Sequence, residues 1–301
     1  MRRSPFARPL TAVIAAVLVS GALAGCTGFS IAGGCEPAFQ PGDASSAVSA
    51  TGDVEFPTPL IANETQRSVL VEGEGEPATP GSVILATYTY FDGATGQAGD
   101  ETTAFFTASD AALQLGESLA CVTVGSRLAV VGPVADVLVG AEGTEGTIVA
   151  VLDIEAIYLG KANGVNQLPQ DGMPTIVTAV DGEPGITLTY QQAPEESRSA
   201  VIKAGSGATV EKGDTVIIHA RNWSWPAGTG ATPAIGQLDT WASGTPTEVD
   251  VDAEVLGDET VYEAFEGAKV GSQLLLVIPN TSGDGSATVV VIDILGILAD
   301  E

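Results

Sequence analysis

The segment from Val270 to Gly296 constrains the fold more than any other part of the chain. It reads VGSQLLLVIPN, then the Gly- and Asp-containing turn TSGDGSA, then TVVVIDILG. Two apolar, largely β-branched runs joined by a tight polar turn predict a β-hairpin. The preceding DETVYEAFEG predicts a short amphipathic helix that leads into this hairpin.

A weaker copy of this block lies upstream, as LGESLAC, VGSRLAVVG and TIVAVLDIEAI. The Gly that opens the long strand recurs at an offset of 132 (Gly81, Gly213), and the closing Asp recurs at 140 (Asp153, Asp293). The offsets differ because loops tolerate insertions. We therefore predict two related units, 53–160 and 173–301, joined by a linker at 161–172. Each unit is expected to be α+β, a mostly antiparallel β-sheet wrapped around one short helix.

The first 25 residues are typical of a signal peptide, with Arg2, Arg3 and Arg8 before the apolar run LTAVIAAVLVSGALAG. Leu-Ala-Gly-Cys at 23–26 fits a lipobox, which predicts that Cys26 carries lipid. The alternative is an ordinary secretory signal followed by a chance Cys. Residues 26–52, rich in Gly, Ala, Ser and Pro, are expected to form a flexible tether.

The chain is strongly acidic, with a formal charge of −27 that becomes −30 once the three Arg of residues 1–25 are removed. Such a surface repels phosphate backbones and anionic lipid headgroups, so nucleic acid is excluded as a partner. The acids are scattered along the sequence, which indicates a solvated surface.

If Cys26 carries lipid, Cys35 and Cys121 remain as a pair in an oxidising compartment, where disulfides persist. We predict that they are bonded; two buried free thiols are the alternative. No CxxC motif occurs and His219 is the single histidine, so no metal and no other cofactor is expected.

Several segments of the second unit resemble the FKBP-type peptidyl-prolyl cis-trans isomerases. They are IKAGSGATVEKGDTVIIH, LDTW, EAFEGAKVGSQLLLVIPN and TVVVIDILG, within residues 199–296. The first unit resembles a more diverged copy, through VEGEGE, GSVILATYTYF, CVTVGSR and IVAVLDI. The layout of lipobox, tether and two such units resembles Gram-positive (actinobacterial-type) surface lipoproteins.

The resemblance implies a catalyst of X-Pro rotation, a step with a barrier of ~18–20 kcal/mol. An apolar pocket can favour the twisted amide, so the family needs no nucleophile, metal or cofactor. Asp239 corresponds to the acid of the family's pocket and is the candidate catalytic residue. The candidate substrate-binding residues are Leu238, Trp241, Val261, Phe265, Trp223, Val290 and, in the first unit, Tyr88.

The family's aromatic residues are mostly replaced in the second unit. Ala220, Val261, Asp284 and Val290 stand at positions where the family has aromatic side chains. Trp223, Trp225 and Trp241 could substitute for them in a peptide groove, or could simply cap the core. The first unit keeps Tyr88 but has Leu115 and Ala150 at two pocket positions.

Two other candidate sites are set aside. His219 lies in a strand with no Cys or Ser motif beside it, which favours a structural role. The segment DVDAEV at 250–255 lacks the Gly of a calcium loop and fits an exposed strand with its acids outward.

The leading hypothesis is a lipid-anchored, extracytoplasmic prolyl isomerase or folding factor that acts on exported proteins, with the second unit the active one. Its partners would be proline-containing peptides, its membrane contact only the N-terminal lipid, and its state monomeric. The alternative is a catalytically inactive FKBP-like lipoprotein that holds a peptide or cell-wall partner. A solute-binding lipoprotein is disfavoured because the sequence shows no alternation of strands and helices typical of βαβ units.

Overall fold

The computed structural model describes residues 35–49, 52–108, 114–138, 140–188, 192–228, 230 and 232–299. Residues 35–301 form one unit, to which every structural statement below refers. The expected signal peptide, the lipobox and Cys26 lie outside the described residues. In the described part, all strand pairs are antiparallel and the helices are short, none of them long and apolar enough to cross a membrane.

The first sheet is built from strands that are rich in β-branched and aromatic residues, which suit a pleated, half-buried surface. They are β1 (Gln66–Val71), β2 (Val83–Asp92), β3 (Thr102–Thr107), β4 (Arg127–Pro133) and β5 (Thr147–Tyr158). The described helices around this sheet are α1 (Asp43–Ser46), α2 (Gln114–Ser118) and α3 (Val134–Val137). The strand order is β1-β4-β5-β2-β3.

The two faces of the first sheet bury different layers, because side chains alternate along each strand. On the face that we call inner, Leu119 at the end of α2 packs with Leu128 of β4. On the outer face, Val48 after α1 packs with Ala129 and Val131 of the same strand. The N-terminal segment therefore covers the side of the sheet that α2 leaves open.

The remaining strands of the chain form a second sheet and a separate hairpin. They are β6 (Val165–Asn166), β7 (Thr175–Thr178), β8 (Pro184–Thr187), β9 (Arg198–Ala204), β10 (Thr215–Trp225), β11 (Ala234–Asp239), β12 (Thr247–Asp250), β13 (Gln273–Pro279) and β14 (Ala287–Ile297). The helices of this part are α4 (Thr240–Ser243), α5 (Ala253–Leu256) and α6 (Glu259–Phe265). The second sheet has the order β11-β10-β14-β13-β9-β6, with β12 also paired to β10. Each sheet thus has more than the one short helix expected from the sequence.

The second sheet is also covered on both faces. On its inner face, Phe265 of α6 packs with Leu276 of β13. On its outer face, Ile176 and Ile186 of the β7–β8 hairpin pack against Trp225. This sheet is therefore buried on both sides at its centre, which explains the near-continuous apolar runs of β13 and β14.

The two sheets share strand order, register and one bulge. The order β9-β13-β14-β10 in the second sheet repeats β1-β4-β5-β2 in the first, and β12 pairs with the start of β10 as β3 pairs with the start of β2. The β2–β5 register shifts after the pair Leu85–Ala156, and the β10–β14 register shifts after the pair Ile217–Gly296. Leu85 and Ile217 are 132 positions apart, and Ala156 and Gly296 are 140 positions apart, which are the offsets found in the sequence.

The sheets contact one another through a small apolar layer. Val83 of β2, Ile217 of β10 and Leu295 of β14 are buried together, and Tyr158 at the end of β5 packs against them. The N–H of Leu159 donates to the carbonyl of Leu295 at 3.2 Å. The end of β5 therefore joins the first sheet to the outer face of the second.

The described part of the expected tether is folded against the first sheet. The N–H of Ala44 donates to Oε1 of Gln66 at 3.0 Å, and the Oγ atoms of Ser45 and Ser68 lie 2.8 Å apart. Composition suggested flexibility because the segment is rich in Gly, Ala, Ser and Pro and has no apolar periodicity. Two of its apolar residues, Ala44 and Val48, are buried all the same.

The expected linker is also docked rather than free. Val165 and Asn166 form β6 and pair with Ala204 and Lys203 of β9. The N–H of Ala162 donates to Oδ2 of the buried Asp293 at 2.7 Å.

Candidate functional site

Asp239, the candidate catalytic acid, is held in place by a salt bridge and a helix cap. Its ladder partner in β10 is Arg221, and Arg221 Nε lies 2.9 Å from Asp239 Oδ1. The same Oδ1 accepts from the N–H of Ala242 at 3.1 Å, so Asp239 is the N-cap of α4. The sequence places an N-capping acid directly before the short helix, which explains why the strand ends here.

Arg221 is the centre of this site. Its side chain is only 7% exposed, and its Nη1 donates to Glu183 Oε1 at 2.6 Å and to the carbonyl of Pro184 at 3.3 Å. Burial alone would lower the pKa of Arg221, but the two carboxylates outweigh it and raise the pKa. Burial would likewise raise the pKa of Asp239, but the guanidinium and the helix N–H groups bring it below its usual value. Both groups are therefore charged.

Sequence reasoning missed Arg221 and Glu183. Arg221 is the only Lys or Arg in β10, a strand that otherwise carries mostly apolar residues. A lone guanidinium in such a strand needs buried acceptors, and this signal could have suggested a partner for the nearby Asp239. Nothing comparable marks Glu183, which reaches the site only because the β7–β8 hairpin folds over the sheet.

Trp241 and His219 stack beside Asp239. Their ring centroids lie 5.1 Å apart at an interplanar angle of 32°. His219 Nδ1 lies 2.8 Å from the hydroxyl of Thr240, and burial lowers the pKa of His219 to about 4. The indole Nε1 of Trp241 is buried and has no hydrogen-bond partner among the described residues. Because the pKa of His219 is about 4, its imidazole is neutral at physiological pH.

Leu238 lies next to Asp239 on the edge strand β11 and is 37% exposed. Its N–H donates to Oδ1 of Asn222 at 3.1 Å. Neighbouring residues of a strand point to opposite faces, so Leu238 and Asp239 project on different sides of the sheet.

The other candidate pocket residues of the second unit are core residues of the inner face. Val261 and Val290 are 8% and 9% exposed, and Phe265 is fully buried with them and with Ala220. Asp284, for which the sequence resemblance implied another pocket position, accepts from the N–H of Ser286 within its turn. The structure brings Val261, Phe265 and Val290 together, but as a filled aliphatic layer.

Trp223 is not part of this group. It lies with Trp225 on the outer face, buried under the β7–β8 hairpin with Met173 and Val289. Arg221 also contacts this hairpin, so Asp239 belongs to the outer side of the sheet. The candidate residues of the second unit are thus divided between its two faces, and Trp223 caps the core.

On its inner face, the first sheet carries a group of aromatic side chains where the second sheet has aliphatic ones. Tyr88 makes edge-to-face contacts with Tyr90 and Phe106, at centroid distances of 5.2 and 5.5 Å. All three belong to the inner face, with Leu115 and Ala150. Tyr88 and Tyr90 are half-buried, and burial raises the pKa of Tyr90 to about 12. Sequence reasoning found Tyr88 and missed the other two, although the alternation in TYTYF places both tyrosines on one face.

The cysteine pair of the described unit lies at disulfide distance. Cys35 and Cys121 are bonded, with their Cα atoms 5.5 Å apart. Within the ranges that the structure covers, no group of three or more His, Cys, Asp or Glu side chains could hold a metal ion. The absence of a cofactor stays a prediction.

Comparison with known proteins gives distant similarities only. No family model and no curated protein matches the chain. The crystal structure of the three FKBP domains of wheat FKBP73 is similar at a TM-score of 0.31 and 14% identity, covering 78% of this chain and 95% of that one. FkpA from Escherichia coli is similar at a TM-score of 0.26 and 19% identity, covering 42% of this chain and 52% of that one.

A third similar structure is a putative peptidyl-prolyl cis-trans isomerase, FKBP12, from Mycobacterium tuberculosis. Its TM-score is 0.25 at 23% identity, and the match covers 36% of this chain and 88% of that one. At such TM-scores these similarities carry no argument, so the proposals below rest on this chain's own residues.

Proposed function

We propose that this protein is a folding factor with two FKBP-like units, and that it binds proline-containing segments of exported proteins and accelerates their X-Pro isomerisation. The observation that carries the proposal is the aromatic group Tyr88, Tyr90 and Phe106 on the inner face of the first sheet. An apolar, aromatic surface favours the less polar twisted amide over the planar one, and aromatic faces pack well on a prolyl ring.

The sequence segments that resemble the family support this proposal. IKAGSGATVEKGDTVIIH covers the end of β9 and the first half of β10, EAFEGAKVGSQLLLVIPN covers the end of α6 and all of β13, and TVVVIDILG covers most of β14. The four strands to which these segments belong are neighbours in the second sheet, and α6 packs on its inner face. The matching order and register of the first sheet favour the same origin for units 53–160 and 173–301.

The proposal moves the active unit from the second sheet, where the sequence placed it, to the first. In the second sheet, Val261 and Val290 fill the inner face with aliphatic side chains, and Asp239 is engaged by Arg221. In the first sheet, half-buried tyrosines leave aromatic surface within reach of a peptide.

The test is an isomerisation assay on the chain from residue 26 onward, with an X-Pro tetrapeptide and a slow-refolding protein as substrates. We expect acceleration over the uncatalysed reaction, which takes tens of seconds. Changing Tyr88 or Tyr90 to Leu should lower kcat/KM by roughly tenfold or more, because the apolar volume stays while the aromatic face is lost.

The matched control is Tyr262→Leu on α6, the same substitution outside this group. It should leave turnover unchanged. If Asp239→Asn and Tyr262→Leu lower turnover while Tyr88→Leu does not, the second unit is the active one and the assignment to the first is wrong.

The second candidate function is a non-catalytic binding lipoprotein, which the filled inner face of the second sheet favours. Absence of acceleration on both substrates, together with binding of a prolyl peptide that Tyr88→Leu weakens, would select it.

We also propose that the protein is extracytoplasmic and anchored through lipid on Cys26. The lipobox at 23–26 and the Cys35–Cys121 disulfide support this location. Cys26→Ser should release the protein from the membrane fraction and abolish incorporation of a fatty-acid label. Unchanged membrane association with no label on the parent chain would contradict the anchor.

A further inference from the structure

A cleft of about 590 Å³ lies between β9 and the carboxyl-terminal part of α6. Its walls are made of small and apolar residues, among them Ser199, Val201, Ala268 and Leu274. Glu263 and Glu266 border it and are exposed, and Lys269 and Gln170 complete its rim. None of the candidate residues Asp239, Val261 and Val290 lines it.

The position of the first sheet that corresponds to Ser199 beside the cleft is occupied by an arginine, Arg67. In the first sheet, Arg67 of β1 pairs with Val130 of β4, which pairs with Ala150 of β5. The same row of the second sheet is Ser199, Leu276 and Val290. Arg67 and Ser199 are therefore equivalent in register.

Arg67 is a buried arginine in this row. It is 6% exposed, and its ladder partner Val130 belongs to the inner core. Directly opposite residues share a face, so Arg67 lies on the inner side of the sheet. The side chain of Ser199 is five heavy atoms shorter than that of Arg67, and in the second sheet a cleft lies beside it.

The charges at the cleft favour a cation. The rim of the cleft carries two carboxylates, Glu263 and Glu266, and one ammonium, Lys269. The whole chain carries a formal charge of −27. An arginine side chain has an apolar stem that packs on aliphatic groups and a planar head that pairs with carboxylates. The apolar floor and acidic rim of the cleft offer both.

We propose that this cleft binds an arginine side chain of a basic partner segment, in the position that Arg67 occupies in the first sheet. The stem would lie on Val201, Leu274 and Ala268, and the guanidinium would face Glu263 and Glu266. A partner can approach at Ser199, because the β6–β9 ladder pairs only Lys203 and Ala204 and the chain beyond it hydrogen-bonds to Ile202 and Arg198 rather than to Ser199. The site is independent of prolyl isomerisation and would serve to hold a client or partner near the catalytic unit.

The test is an NMR titration of the isotopically labelled chain from residue 26 onward. The probe is acetyl-Gly-Arg-Gly-amide, and the matched control peptide has citrulline, which is neutral and nearly the same shape, in place of arginine. We expect saturable shifts at residues 199–205 and 263–274 for the arginine peptide only. A single side chain should bind weakly, with a Kd of roughly millimolar.

Ser199→Arg fills the cleft with the residue of the first sheet and should remove binding. If this variant does not fold, Ala268→Met narrows the same cleft and should weaken binding at least severalfold. Replacing Glu263 and Glu266 by Gln should weaken it by roughly fivefold per carboxylate, and Lys269→Gln should strengthen it.

Neutralising Glu211 and Glu254 removes the same charge elsewhere and controls for general attraction of cations. Equal weakening by this pair, equal binding of the citrulline peptide, or shifts outside the cleft would each overturn the proposal.

Discussion

Asp239 and Arg221 form a salt bridge across the β10–β11 ladder, with Oδ1 and Nε 2.9 Å apart. Their side chains are 14% and 7% exposed. Because Arg221 also binds Glu183 and Pro184 of the β7–β8 connection, one guanidinium joins the edge strand, the sheet and the covering hairpin. Asp239, the candidate catalytic acid, is thus paired with a structural arginine.

Asp239→Ala should lower the free energy of unfolding by about 3 kcal/mol. The change leaves a buried guanidinium short of one carboxylate and removes the N-cap of α4. Asp239→Asn can still cap the helix and should cost less. Urea unfolding measures both, and Glu183→Gln is the control, since Glu183 is half exposed and should contribute less than about 1 kcal/mol.

The same pair gives a pH dependence. The folded-state pKa of Asp239 is below its usual value, so the stabilisation is present above the unfolded pKa and is lost as pH falls through the folded pKa. Asp239→Asn should therefore flatten the acid limb of the stability curve. An acid limb identical in the variant and the parent chain would contradict a charged, paired Asp239.

His219 should titrate near pH 4. It is the only histidine of the chain, so its ring proton resonances can be followed by NMR without assignment. Burial lowers its folded pKa to about 4 from the ordinary value of 6.5. The unfolded chain then binds more protons between these pH values, so stability is complete above about 6.5 and falls progressively towards pH 4. A titration midpoint near 6.5 would show that the imidazole is solvated.

The local patterns predicted much of the fold. The hairpin of β13 and β14 and the helix α6 before it follow from near-continuous apolar runs, an amphipathic segment and turn residues, and the offsets between units follow from the repeat of these segments. These signals depend on neighbours in sequence. The cysteine pair followed from redox chemistry and from counting three cysteines.

The distribution of residues between the two faces could not be predicted, because it depends on what covers each face. Trp223 fits a pocket by its position in a loop-like segment, but the β7–β8 hairpin buries it on the outer side. Asp239 lies on the same outer side, where it forms a salt bridge with its ladder partner Arg221. Residues 35–49 were expected to be a tether because their sequence alone does not show what they contact. Their buried contacts, such as Ser45 with Ser68, join segments that are distant in sequence.

Loss of the Cys35–Cys121 disulfide should cost about 4 kcal/mol, because the bond closes a loop with a sequence separation of 86. Urea unfolding with and without a reductant measures this difference. The double variant Cys35→Ser, Cys121→Ser should match the reduced parent chain and should not respond to reductant. A parent chain whose midpoint is the same under both conditions would contradict a bond in solution.

Gly296→Ala should destabilise the contact between the sheets. Gly296 of β14 lies against the ring of Tyr158, and a Cβ atom at this position would overlap the ring carbons. The backbone of Gly296 does not have a positive φ, so the cost comes from this overlap, and we expect about 1–3 kcal/mol. Tyr158→Ala removes the ring, and in that background Gly296→Ala should cost less than about 0.5 kcal/mol. Equal costs in the two backgrounds, measured by urea unfolding, would show that β5 and β14 do not pack in this way.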